Sequence, residues 1–426
     1  MFSKANSTSS FKWLSGSCLS LVVALAGCSS GSGSFCDNNL SPDCTTKTGP
    51  PGVGGAGNAG TASSTGGVMA PLTTVLHVEG PLIKNEKGET VILRGVNRSG
   101  SEYKCTQTDP GNPVFDGRFD DASVKAIVSW KANTVRVPLN EQCWLGINGL
   151  PSVGTANGYK TAIKNYVTTL HNNALIPILE LHWAGPAGYA AKGQLPMPDA
   201  DHATDFWRDV ATTFNDDLGV ILELYNEPFP DSNRDTVAGW ACWRDGCSAT
   251  GNVKVTVDGG TTTQSVPYTT VGFQSLVNTV RSESGAKNLI LLGGVQYSNT
   301  LSRWSEYKPT DSENNLGAAW HIYNFNACAT TVCFDGVPAT LAQTTLLAAT
   351  EIGENDCQGS IVEPWMAWFD SHQVGYLAWT WNAYGACAPA VNGQGGQPWS
   401  LIANFSGTPN AGLGQAFHDH LANVVP

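Results

Sequence analysis

The stretch VILELYNEPFPD, residues 220–231, ends an unbroken apolar run in Asn226, Glu227 and Pro228. Such a run reads as a buried strand. Pro228 stops its hydrogen-bond ladder, so Glu227 is delivered to the mouth of the strand with Asn226 beside it. A second run, TLLAATEIG at 345–353, brings Glu351 up in the same way. Two glutamates facing each other across a cleft suit glycoside hydrolysis: one carboxyl protonated to help the leaving oxygen, the other ionised to attack the anomeric carbon. That chemistry needs no cofactor and no metal, and none is expected. Glu354 also lies in this region, but it follows the glycine into the next loop, whereas Glu351 ends the strand itself.

Elements that could hold two such groups recur along the chain. Apolar runs occur at 90–96, 133–139, 175–183, 220–228, 288–294, 316–323, 345–353 and 375–382. Segments with helical spacing separate most of them, at 120–132, 159–173, 202–214, 273–282 and 360–372, and AGLGQAFHDHLAN closes the chain. Only LSRWSEY and PATLAQ fill the gaps after the fifth and sixth runs, which predicts short helices there. Eight strands alternating with helices predict an α/β protein, a single (β/α)8 TIM barrel. Its parallel sheet is covered on both faces, which explains runs that are continuous rather than alternating. An open doubly wound sheet is the alternative, but RGVNRSG at 94–100 lacks the glycine-rich nucleotide loop expected after its first strand. Ahead of the barrel, the turn signal Asn85-Glu86-Lys87-Gly88 predicts a hairpin.

In a barrel the chemistry occupies the C-terminal ends of the strands. Those ends carry Arg136, His182, Trp183, Asn226, Glu227, Gln296, Tyr297, His321, Tyr323, Glu351, Trp379 and Trp381. Glu180 and Glu223 also point inward by strand alternation, and buried carboxylates need cations, so an ion network with Arg94 and Arg136 is expected. Trp144, Trp183, Trp243, Trp304 and Trp381 offer flat faces for sugar stacking, with Trp183 and Trp381 the preferred pair. The insertion from about Trp240 to Tyr268, with its Thr-rich VTVDGGTTTQSV turn, follows the Glu227 strand and is placed to wall one side of a cleft.

The 426 residues, 41% hydrophobic and 14% charged, exclude a disordered chain, and a net charge of -12 without basic clusters excludes a nucleic-acid partner. Lys4 and Lys12 precede the short apolar segment CLSLVVALAG, which reads as the core of an export signal. It ends in Leu25-Ala26-Gly27-Cys28, which resembles a bacterial lipobox. That resemblance implies cleavage before Cys28, lipid on its sulfur, and attachment to a membrane, with Ser29 fitting an outer-membrane or surface destination. The expected organisation is a leader at 1–27, a Gly/Ser/Thr-rich flexible tether at 28–71 and a catalytic domain at 72–426. Ten cysteines remain besides Cys18 and Cys28, and export makes disulfides the expectation. Near neighbours suggest Cys36–Cys44, Cys242–Cys247 and Cys328–Cys333, leaving Cys105–Cys143 and Cys357–Cys387.

LYNEP, AAWHIYN, ATEIGENDC and YLAWTWN, with VILRGVN and ANTVRVPL earlier, together resemble glycoside hydrolase family 5, which contains many cellulases, over about residues 74–424. The resemblance implies that Glu227 is the acid/base, Glu351 the nucleophile, and Arg136, His182, Asn226, His321, Tyr323 and Trp381 their support. It implies retention through a glycosyl-enzyme ester, with Asn226 on the sugar 2-hydroxyl and Trp381 as the stacking floor. Tyr323, Arg136 and His321 are expected to keep Glu351 ionised while its charge and desolvation raise Glu227. The resulting expectation is a monomeric, lipid-anchored endo-β-1,4-glucanase. A mannanase or other β-glycanase is the alternative within the family, and a non-catalytic carbohydrate-binding lipoprotein the alternative from another class. A pure binder has no use for a second carboxylate opposite the first.

Overall fold

The computed structural model describes residues 74–424, apart from 108–113, 150–155, 258–259 and 392–395. The leader, the tether, Cys28 and the Cys36–Cys44 pair lie outside the described residues. Each of the eight apolar runs supplies one barrel strand, to within a residue at its end: β1 (Arg94–Asn97), β2 (Thr134–Asn140), β3 (Ile176–Trp183), β4 (Ile221–Glu223), β5 (Ile290–Gly293), β6 (Leu316–Tyr323), β7 (Leu347–Gly353) and β8 (Gly375–Ala378). Every strand pairs in parallel with the next, and β8 returns to β1 with Tyr376 opposite Arg94, so the sheet closes into the expected barrel. At Gly95 any Cβ would lie 1.9 Å from the Thr134 carbonyl oxygen, so only glycine permits β1 and β2 to approach this closely.

The crossover helices form where the spacing predicts, as Asp121–Ser129, Ala156–Asn172, Ala203–Phe214, Phe273–Asn278, Val362–His372 and the closing Leu413–Asn423. The weak gaps hold the short helices Trp304–Tyr307 and Val337–Ala342. Asp120 caps the first helix by accepting the Ser123 N–H. Ala203–Phe214 buries Phe206, Trp207, Val210, Ala211 and Phe214 along one stripe at helical spacing.

An antiparallel sheet of His77–Glu79, Leu82–Lys84 and Thr90–Val91 precedes the barrel, its second turn built on Asn85 to Gly88. Ile83 from this sheet and Leu76 just ahead of it pack with Leu93, Ile178, Ile221, Leu291 and Leu377, stoppering the N-terminal end of the barrel. Function is thereby left to the opposite mouth. Four of the expected disulfides form there, Cys105–Cys143, Cys242–Cys247, Cys328–Cys333 and Cys357–Cys387, all in connections that follow the C-terminal ends of strands. The insertion is a two-stranded hairpin, Ser248–Val257 with Gly260–Thr269, clipped to the preceding helix by Cys242–Cys247.

Two expectations are corrected by the packing. Arg94 does not join a network inside the barrel. Two-residue alternation from the inward Asn97 turns it outward, where it pairs with Asp370 of the helix Val362–His372 at 2.8 Å. Trp144, Trp243 and Trp304 are fully buried, and each indole N–H is committed, to Asp209, to the Gly293 carbonyl and to the Leu292 carbonyl respectively. They are core residues and offer no face to a sugar.

Candidate active site

Arg136, on β2, organises the mouth of the barrel. It is wholly buried and donates through Nε and Nη2 to both oxygens of Glu223 at 2.8 and 3.1 Å. Nη1 reaches Glu351 at 2.7 Å and Asn97 at 3.0 Å, and Nη2 reaches Asn226 at 3.0 Å. Glu180 lies 3.4 Å away. One forked cation thus fixes three carboxylates and two amides, a task that guanidinium geometry permits and an ammonium does not. Burial would raise Glu223, but the charge of Arg136 and the hydrogen bond from His321 hold it at about 2. The structural network expected for Glu180 and Glu223 therefore exists, with Arg136 at its centre.

His321, on β6, stands between the two candidate catalytic groups. Its Nδ1 is 3.0 Å from Glu227 and 3.6 Å from Glu351, while Nε2 is 3.1 Å from the Thr350 hydroxyl. Burial pulls the imidazole down, but Glu351, Glu223 and Glu227 together push it up to about 10, so it is cationic. This changes the expected proton balance of the free site. Burial pushes Glu227 up, yet the hydrogen bond and charge of His321 outweigh it and hold Glu227 below the usual carboxylate range. Burial of Glu351 exceeds the pull of His321 and Arg136, and that group is raised. The expectation of a raised Glu227 beside a low Glu351 is thus reversed before substrate enters: the contact with His321 outweighs burial at Glu227, whereas burial prevails at Glu351.

Local backbone devices aim these groups. Where β6 meets β7, the register slips between Trp320 and His321. The bulge lets two consecutive residues serve the interior: the Thr350 hydroxyl donates to Glu223 at 3.2 Å, and Glu351 accepts from Arg136 and from the Tyr323 hydroxyl at 2.5 Å. Gly353 supplies room for that tyrosine, since a Cβ there would stand 2.4 Å from its ring. Glu227 sits past the end of β4 with a left-handed φ of 48°, uncommon for a residue with a side chain. Glu354 is turned away, and both of its oxygens accept from the Gly359 N–H.

These groups open into a cleft of about 380 Å³ lined by His182, Asn226, Glu227, Tyr297, Tyr323, Phe325, Asn326, Glu351, Trp379 and Trp399. Trp381 is not among them. It is wholly buried and packs edge-on against Trp130 at 4.7 Å, because β8 ends at Ala378 and strand alternation no longer governs residues 379–381. The aromatic wall at this position is Trp379, stacked on His182 at 5.4 Å. Phe325 and Trp399 form a second wall, with Tyr323 stacked on Phe325. His182 is bonded to Glu180 at 2.5 Å; burial pulls it down, but that carboxylate pushes it up to about 8. Trp183, the next residue, faces a neighbouring groove instead.

Sequence reasoning did not single out Phe325, Asn326, Trp399 or Gln194. The first three sit in loops whose path the periodicity cannot give, although an aromatic amid Gly and Pro, as in GQPWS, is a usable signal. Gln194 carries no signal, yet its amide donates to Glu227 Oε2 at 3.2 Å and to the Glu227 carbonyl at 3.0 Å. The segment bearing it, residues 184–202, is tied down by a buried acid pair. The Glu141 and Asp199 carboxyls meet with no exposure to solvent, one oxygen of each accepting backbone N–H groups and the other lacking any donor.

Glu227, His321 and Glu351 bring ligand atoms within 4.8 Å of one another, a spacing that could hold a cation. The same spacing places one imidazole nitrogen between the two carboxylates, 3.0 Å from Glu227 and 3.6 Å from Glu351. The arrangement suits proton transfer and attack at a carbon held between two carboxylates.

A cationic hub, two carboxylates and an aromatic cleft at the C-terminal mouth of a (β/α)8 barrel define a sugar-processing class of enzyme. Residues 85–385 match the family model described as cellulase, glycosyl hydrolase family 5. The chain belongs to that family and is a glycoside hydrolase. A curated relative, the mannan endo-1,4-beta-mannosidase of Streptomyces lividans, is 25% identical over 316 residues, 73% of this chain and 67% of the relative. Among solved structures, the β-glucanase of Saccharophagus degradans has a TM-score of 0.57 at 16% identity, covering 82% of this chain and 93% of that one. An endo-β-1,4-glucanase of Xanthomonas axonopodis pv. citri, crystallised as a triple mutant, has a TM-score of 0.56 at 19% identity, covering 78% and 100%. These structural likenesses establish the shared fold.

Proposed function

We propose that the protein is a retaining, endo-acting β-1,4-glucanase with Glu227 as acid/base and Glu351 as nucleophile. The observation carrying this reading is the closeness of the two carboxylates, whose nearest oxygens lie within 4.8 Å. Displacement through a covalent intermediate requires carboxyl groups about 5 Å apart, whereas inversion needs roughly 6.5 Å or more to admit water between them. Glu351 attacks the anomeric carbon, held by Arg136 and Tyr323. A sugar entering the cleft displaces water and penalises carboxylate charge; Arg136 and Tyr323 donate to both Glu351 oxygens, so the proton on His321 passes along its 3.0 Å contact to Glu227 for delivery to the leaving oxygen. Glu227 then activates the water that frees the sugar from Glu351. Asn226, whose Oδ1 is occupied by Arg136, offers its amide N–H groups to a sugar hydroxyl, and Trp379 supplies the stacking face. An open cleft with aromatic walls on both sides favours internal positions of a polymer. The glucan preference is supported by the fold likeness to the Saccharophagus degradans β-glucanase, which has also been solved in complex with cellotetraose. The relationship to a mannosidase supports a second reading, β-1,4-mannan, with the same mechanism.

Reducing-end release by the full chain on mixed-linkage β-glucan, carboxymethylcellulose, glucomannan, galactomannan and xylan tests the proposal, beside Glu227→Gln and Glu351→Gln. Each substitution is expected to lower kcat at least about 10³-fold. Activity confined to mannans would select the second reading, and hydrolysis of no polymer by a folded wild type would overturn both. The lipobox reading extends the proposal to export and anchoring through Cys28. Retention of a Cys28→Ser chain in the membrane fraction of the host would refute it.

A further inference from the structure

Beside the cleft runs a second groove, of about 530 Å³, with Tyr103, Trp183, Lys192, Lys254 and Thr261 in its walls. Trp183 is the last residue of β3, next to His182 of the cleft, so the two depressions are neighbours on one strand end. The far wall is the hairpin Ser248–Val257/Gly260–Thr269, an element additional to the eight barrel units. Tyr103 lies 6.2 Å from Trp183, ring to ring, and its hydroxyl is committed to Asp116 at 2.5 Å, which leaves its ring to line the groove.

The charges here run against those of the whole molecule. The chain carries 35 acidic and 23 Lys or Arg residues, yet the described lining of this groove holds two amines and no carboxylate. Lys254 donates only to the neutral Thr263 hydroxyl across the hairpin, and neither lysine has a carboxylate partner among the described residues. Elsewhere the arginines are mostly paired, as in Arg118–Asp120, Arg208–Glu283 and Arg303–Glu306, and Lys125, Lys160 and Lys287 have carboxylate partners. Two unneutralised ammonium groups flanking an indole and a phenol ring match a sugar bearing a carboxylate: the rings take its apolar face and the lysines its charge.

We propose that this groove is a specificity subsite for an acidic glycan substituent, a uronic acid or other carboxylate-bearing branch, carried by the polymer whose backbone lies in the adjacent cleft. The proposal rests on the glycan-cleaving reading and adds that the preferred polymer is anionic. Without the groove, a protein of net charge -12 would disfavour such a polymer, so a preference for one must have a local origin.

The full chain and its Lys192→Met/Lys254→Met variant would be assayed on carboxymethylcellulose beside neutral hydroxyethylcellulose, or on carboxymethylated beside plain galactomannan if mannan is the backbone cleaved. The expected result is a ratio of kcat/KM, charged over neutral polymer, that falls about three- to tenfold in the variant, the range for two exposed charge contacts. The difference in this ratio between wild type and variant narrows as ionic strength is raised to about 0.3 M, where screening weakens such contacts. A ratio unmoved by the substitutions overturns the proposal. Fluorescence titration with a glucuronate-bearing oligosaccharide reads the groove without catalysis: quenching in the wild type that is weakened in the lysine variant supports it. Equal binding by both chains, or by neither, overturns it even where hydrolysis is seen. Absence of hydrolysis with intact binding would instead refute the enzymatic reading and leave the groove standing.

Discussion

Substituting Glu141 by glutamine should make the protein more resistant to alkali. Glu141 and Asp199 are both wholly buried, and their free oxygens face each other without a donor from any neighbour. The other titratable groups around them are Asp201, the imidazole of His202, and the phenols of Tyr225 and Tyr268, and among the described residues none of the strongest influences on either carboxyl is a Lys or Arg. Burial and the neighbouring acid push Glu141 well above the carboxylate range, and burial raises Asp199 too, so the folded pair keeps a proton that the unfolded chain has lost. A group that binds an extra proton when folded loses stability as pH rises. The loss starts above the unfolded carboxylate pKa and is complete at the folded one. Its slope is about 1.4 kcal/mol per pH unit. At roughly 2.1 cal/mol/K per residue over about 350 residues, the unfolding entropy is near 0.7 kcal/mol/K, so the slope corresponds to about 2 °C of Tm per pH unit. Glutamine keeps an acceptor for the Gly185 N–H and gives Asp199 a permanent donor. Thermal unfolding followed by circular dichroism between about pH 5 and pH 8 should show the wild type losing about 2 °C per pH unit relative to Glu141→Gln. Asp199→Asn, which supplies a donor from the other side, should behave alike. Parallel Tm curves for wild type and both variants would refute the shared proton.

Arg136→Met should lower stability by about 3–5 kcal/mol, or about 4–7 °C in Tm, because it strands three buried carboxylates. Arg136→Lys should not restore activity, since one ammonium cannot reach Glu223, Glu351, Asn226 and Asn97 together; recovery above about a tenth of wild-type kcat would contradict the forked-hub account. Gly353→Ala should displace the Tyr323 ring and break its bond to Glu351, lowering kcat about tenfold or more with KM less affected; a Tyr323→Phe change added to it should cost little further, and full additivity of the two would count against the coupling.

Much of this architecture is legible in the sequence, because burial on both faces of a parallel sheet forces continuous apolar runs. The eight strands, the crossover helices and the hairpin about Asn85–Gly88 all follow from that and from turn chemistry. The gathering of Arg136, His182, Asn226, Glu227, His321, Tyr323 and Glu351 follows as well, since strand ends in a barrel converge whatever the loops do. Alternation fails where a strand has stopped: Trp381, read as the stacking floor, is buried against Trp130, and Trp379 takes the cleft. It also fails where a bulge adds a residue, as at Thr350 beside Glu351. Arg94, a plausible partner for buried acids on charge alone, faces outward to Asp370.

Residue types and spacing therefore determined which groups meet, while tertiary structure decided how they share charge and what surrounds them. The resting place of the proton depends on distances of 3.0 Å and 3.6 Å from one imidazole nitrogen to two carboxylates, and no periodicity encodes those. Gln194, Phe325 and Trp399 come from loops, and the lysine-lined groove from the meeting of a loop, a strand end and an inserted hairpin, whose courses are set by packing and disulfides rather than by a repeating pattern. Short-range order in a chain follows from local sterics and burial; the meeting of distant loops is fixed only when the whole core has closed.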